Sequence, residues 1–285
     1  MTLILSCITE QFVVQVSDRC LSDLQTGRAI EQEANKAVFL SNRVAFAFTG
    51  LAEIEGKPAD LWLRDVLVPH ESVGHGVQLI VDEATRAFAK LRAPRATKRQ
   101  AFVGAGWARF EHLSDELMPF AVVITNALAE NGWLPEAEPE FVGDVRVLHK
   151  GGGYIWTDVG GLPAKRKANL GRMIRRLADR QLTAAAMADL FIRETRAMAD
   201  IDSRIGRGLM VSSIPKAVTQ THDLLALSSL PTDSELTFAH LRHDDSVVIR
   251  EGPHVVRPGG RVFSDFQHSV DDEGTETISV TLGPL

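Results

Sequence analysis

The chain opens with two short apolar runs, residues 3–8 and 12–17, separated by the polar Thr9, Glu10 and Gln11. That pattern predicts two antiparallel strands joined by a tight turn. A second pair, KAVFL (36–40) and VAFAFTG (44–50), is hinged on Ser41, Asn42 and Arg43 and predicts a second hairpin. In LILSCI (3–8) and VAFAF (44–48) both strand faces carry apolar or small residues, so these strands belong to sheets covered on both sides.

Helical spacing supplies the cover. Val73, Val77, Ile80, Val81, Ala84, Phe88 and Leu91 recur every three or four residues, a helix that stops near Pro94. Residues 51–66 are expected to form another before Pro69. Strands follow at 101–109, 119–128 and 141–149, then helices at about 164–179 and 183–199, the second capped by Thr183. Gly151, Gly152 and Gly153 lack the lysine and the strand-to-helix context of a phosphate loop. Standing before the strand-like YIWTDV, they read as a hairpin turn.

After GLMVSSIP (208–215) the pattern changes to short alternating runs between Pro231, Gly252, Pro253, Pro258, Gly259 and Gly260. Residues 1–218 are therefore expected to form the main domain. Residues 219–285 are expected to form a small β-rich appendage packed outside its central sheets.

Composition narrows the class. Of 285 residues, 45% are hydrophobic and 24% charged, which excludes a disordered or collagen-like chain. Lys and Arg number 31 against 37 Asp and Glu, a net charge of -6, so nothing global favours nucleic acid or an anionic membrane. Cys7 and Cys20 are too few for a disulfide framework, and Cys7 sits in an apolar run as buried structural cysteines do. The N-terminus lacks the basic start of a signal peptide, and no apolar run reaches the roughly 18 residues of a membrane helix. A cytoplasmic protein is expected.

Two further clusters read blandly. His240 and His243 on a strand would point to opposite faces, a poor chelate, and His70 and His75 offer no better. Lys165, Arg166, Lys167, Arg172, Arg175, Arg176 and Arg180 crowd one helix without interleaved aromatics, which predicts a solvated or intersubunit face more than nucleic-acid binding.

The chemistry gathers at the start of the chain. Trimming of Met1 would leave Thr2 with its hydroxyl and a free α-amine on one residue. An α-amine titrates at about 7.7–8.0, which suits it to take the hydroxyl proton near neutral pH. Asp18 at the end of the second strand and Lys36 at the start of the third could flank that terminus, Lys36 tuning Thr2 without supporting the core. Gly50, entering a helical segment after Thr49, could donate its amide to an oxyanion.

Thr2, the hairpin to SDR (17–19), NKAVFL (35–40) and VAFAFTGLAE (44–53) together resemble the proteasome β-type N-terminal nucleophile hydrolases, in their bacterial proteasome-like branch. The resemblance implies an α+β fold, a four-layer αββα sandwich. It implies Thr2 as nucleophile, Asp18 and Lys36 as tuning residues and Gly50 as oxyanion donor. Asp200 and Ser203 match a supporting Asp-x-x-Ser pair, whereas TDVGGLP (157–163) stands where the family has a serine-bearing turn and carries none. It further implies a threonine-type peptidase that needs no cofactor or metal and self-assembles into a ring or closed assembly. Its substrate would be a peptide or unfolded protein, fed where required by an ATP-dependent unfoldase. The alternative is a catalytically inactive subunit serving as an assembly or binding module.

Overall fold

The computed structural model describes residues 2–22, 29–31, 34–40, 43–68, 73–110, 113–129, 132–180, 182–216, 237–241, 247–248, 254–257, 261–270 and 276–282. The main strands are β1 (Ile4–Thr9), β2 (Phe12–Asp18), β3 (Ala37–Leu40), β4 (Val44–Thr49), β5 (Ala101–Phe110), β6 (Ser114–Thr125), β7 (Val142–Val147), β8 (Tyr154–Val159) and β9 (Leu209–Pro215). Beyond them lie β10 (Thr237–Leu241), β11 (Val247–Val248), β12 (His254–Arg257), β13 (Arg261–Val270) and β14 (Glu276–Leu282). The helices are α1 (Ala59–Leu67), α2 (Val73–Lys90), α3 (Ala164–Ala178) and α4 (Ala184–Ala199). The fold is α+β, as expected.

The main strands form two large sheets, ordered β8-β1-β2-β9-β10-β11 and β7-β6-β5-β4-β3-β12-β13-β14. The pairing of β3 with β12 is parallel, while the hairpins β1–β2 and β3–β4 are antiparallel. The first turn is tied by Thr9, whose hydroxyl donates to the Phe12 carbonyl and accepts from the Gln11 and Phe12 amides.

Strand period two explains why both faces are apolar. On β1 and β2, Leu5, Cys7, Val14 and Val16 join a core with Leu170 and Ile174 of α3 and Met187 and Phe191 of α4. Ile8 and Val13 point the other way, against Phe39, Ala45 and Trp107 of the second sheet. That sheet's Val38, Leu40, Phe46 and Phe48 pack in turn with Trp62 and Leu63 of α1 and Ile80 and Phe88 of α2.

Three expectations are corrected. Residues 53–58 form a short hairpin ladder where a helix was expected, turning at Glu55 and Gly56 with φ of 51° and 76°. Two consecutive positive φ values make the tight turn of a two-residue hairpin, so the helix starts later, after Pro58. Strand β6 begins earlier than its apolar run, because Ser114, Asp115 and Glu116 extend it through an irregular register. The C-terminal strands do not pack outside the sheets: β10 pairs with β9 and β12 with β3. Those inner strands present open ladder edges, and apolar residues such as Phe238 fill the core beside them. Among the described residues, no helix is long and apolar enough to cross a membrane.

Candidate active site

The β1–β2 register sets the first half of the site. Ile4 lies opposite Ser17, which brings Leu3 opposite Asp18. Asp18 Oδ2 accepts the Leu3 N–H at 2.7 Å, and Oδ1 accepts those of Cys20 at 2.9 Å and Gly206 at 3.1 Å. The step from Thr2 to Asp18 is thus the length of one tight hairpin.

Lys36 comes from the other sheet, just before β3. Its Nζ donates to Thr2 Oγ1 at 2.5 Å and to the Cys20 carbonyl at 2.5 Å, and stands 3.7 Å from Asp18 Oδ1. Thr2, Asp18 and Lys36 are therefore brought together, all buried. Burial pushes the Lys36 amine below its ordinary range, opposed by the Asp18 charge. Burial likewise pushes the Asp18 carboxyl up, against Lys36 and the three backbone donors. An amine so destabilised as ammonium, in contact with a hydroxyl, is suited to exchange a proton with it. Lys36 is also a core side chain, contrary to the expectation that it only tunes Thr2: its removal leaves a buried carboxyl without its cation.

Gly50 follows Thr49, whose Oγ1 accepts from the Thr2 backbone N at 3.0 Å. The Gly50 segment is braced by buried Gln100, whose Oε1 accepts the Leu51 N–H at 2.5 Å. A side chain on Gly50 would collide with that oxygen.

Asp200 and Ser203 are not in this cluster. Both are exposed, and Asp200 pairs with Arg207. Their loop reaches the site instead through Gly206, whose amide is one of the donors to Asp18.

Sequence reasoning missed Thr49, Gln100 and Gly160. Thr49 had a signal, as the lone polar residue ending an apolar strand. Gly160, in the turn that lacks serine, lies against the Thr2 carbonyl. Gln100 had no local signal, since its role depends on a segment 49 positions away.

Other candidates fall elsewhere. Cys7 is buried and its thiol is pushed up to about 12 by desolvation, so it is not a thiolate at neutral pH. Met1, His70 and His243 lie outside the described residues, and the described ones gather no group of three or more His, Cys, Asp or Glu able to hold a metal. On α3, Leu170 and Ile174 are buried while Lys165, Arg172, Arg175 and Arg176 are exposed, as is Arg180 just beyond the helix. Arg166 pairs with Glu194 and Lys167 with Asp158.

No protein-family model matches the chain, and no curated protein matches it at a significant level.

Proposed function

We propose that this chain is an N-terminal threonine hydrolase of the proteasome-like type, cleaving peptide or amide bonds through an acyl-enzyme ester. The observation that carries the reading is the contact of the Thr2 hydroxyl with the Lys36 amine, itself backed by Asp18. A buried lysine is costly, and here it is directed at a hydroxyl on the second residue of the chain.

Removal of Met1 makes Thr2 terminal. Its Oγ1 attacks the substrate carbonyl carbon while its proton passes to the Lys36 amine or the α-amine. The C–N bond then breaks, the leaving amine takes up the proton, and an ester to Thr2 remains. Water, activated by the α-amine, hydrolyses the ester and regenerates the hydroxyl. The Gly50 amide is assigned to the developing oxyanion. The fold assigned with this reading is the four-layer αββα sandwich, supported by apolar clusters that link helices to each sheet and one sheet to the other. The substrate class is a peptide or unfolded protein.

Burial favours a second reading. Thr2 is only 4% exposed, and the turn beside it supplies Gly160 and no serine, as fits a catalytically inactive subunit that binds or assembles. One experiment separates them. Protein from its own host is measured by intact mass and then treated with an electrophilic peptide inhibitor. The hydrolase reading expects loss of Met1 and one adduct on Thr2, absent in Thr2→Ala. Met1 retained throughout, or a mature terminus that takes no label, leaves the inactive-subunit reading.

A further inference from the structure

Strand β7 ends the eight-stranded sheet on the side away from the C-terminal strands. β6 occupies one of its edges, from Phe120 opposite Val147 to Thr125 opposite Val142, and no described strand pairs with the other. Most of β7 is exposed, with Val142 at 61% and Val145 at 43%. An open strand edge with apolar residues is a template for another strand.

The charges on β7 say which strand. Asp144 and Arg146 flank Val145, and their side chains are 60% and 59% exposed. They share one face, where Arg146 Nε donates to Asp144 Oδ2 at 2.9 Å, while Val145 lies on the opposite face. That opposite face is the one toward α2, because a Cβ on Gly143 would meet Val77 and Val81.

Asp-Val-Arg is self-complementary when read antiparallel. On a two-fold axis through Val145, Asp144 of each copy lies opposite Arg146 of the other, and the two Val145 side chains meet. A slip of one residue sets charges opposite valine and turns every side chain to the wrong face. A parallel, in-register pairing sets like charges together.

We infer that β7 is a docking edge for a second copy of this chain, paired antiparallel about a two-fold axis at Val145. Such an interface is closed and isologous, and it joins two eight-stranded sheets into one. It is independent of the hydrolase reading, since no residue of the candidate site takes part.

The test uses the full chain. Val145→Cys, treated with a short bismaleimide, is expected to crosslink to itself, while native Cys7 and Cys20 are buried. Asp144→Arg and Arg146→Asp each set like charges opposite one another at two places, and each is expected to weaken self-association by about tenfold in sedimentation. The double variant Asp144→Arg/Arg146→Asp is expected to restore it. Thermal melting of these exposed-site variants establishes that each is folded. The inference is overturned if the parent is monomeric at all concentrations, or if it assembles without a Val145→Cys crosslink. It is equally overturned if single reversals associate like the parent, or if the double variant does not recover; in that last case another partner holds the edge.

Discussion

Gly160 lies so close to Thr2 that a Cβ added to it would sit 1.8 Å from the Thr2 carbonyl oxygen. Strand β8 pairs with β1 up to Val159 opposite Ile4, so the residue that follows β8 closes on the start of the chain. Its φ of 112° is a conformation that other residues adopt only with strain. The turn thus contributes a close backbone approach to Thr2, and no serine.

Gly160→Ala is accordingly expected to displace Thr2 from Lys36 and to cost about 1–3 kcal/mol of stability. Electrophile labelling of Thr2 and chemical unfolding measure the two effects. Unchanged labelling in a folded variant means that the close approach does not position Thr2.

On the proposed hydrolase reading Lys36→Ala is expected to abolish hydrolysis, and on any reading to destabilise the fold by about 3–5 kcal/mol, because Asp18 is left buried without its cation. The pair Asp18→Asn/Lys36→Met should be more stable than Lys36→Met alone, though equally inactive. Urea unfolding of the set decides it. A single variant as stable as the parent would show that the buried pair contributes little.

The pH dependence follows from the direction of the Lys36 shift. A folded-state value below the ordinary 10.5 means that the folded protein favours the neutral amine. That contribution to stability is complete above 10.5 and is lost as pH falls through the lowered value. If the neutral amine receives the Thr2 proton, the labelling rate rises with pH through a midpoint that lies below 10.5. Asp18 acts to raise the Lys36 value, so Asp18→Asn should move the midpoint to lower pH. A midpoint that stays in place in that variant assigns the titration to another group, the α-amine first.

Phe238 tests how far the C-terminal strands belong to the core. Its ring meets Phe39 edge-on, with centroids 5.8 Å apart, in the cluster that includes Trp107 and Ile214. Phe238→Ala should cost about 3–5 kcal/mol. A midpoint shift within error in thermal unfolding would return this segment to the role of an accessory.

The hydrophobic pattern by itself determined much of this protein. Period-two runs with both faces apolar announced strands covered on both sides, and three-to-four spacing located α2, α3 and α4 closely, because these signals are local and burial leaves them little freedom. Part of the site was local too, since the Thr2-to-Asp18 step is the arithmetic of a single hairpin. Lys36 stood out through its order along the chain, although the 2.5 Å contact with Thr2 is made between sheets.

Only the tertiary structure decided the rest. Whether Asp200 or Gly206 faces Asp18 depends on how a loop folds back over 188 positions, and neighbouring residues in a loop point in different directions. Gln100 and Gly160 matter through close approach to distant backbone, which no local pattern encodes. The C-terminal strands looked like an appendage because their alternating runs carry no mark of which edge they join. That choice was made by β9 and β3, which offered open ladders and an apolar surface beside them.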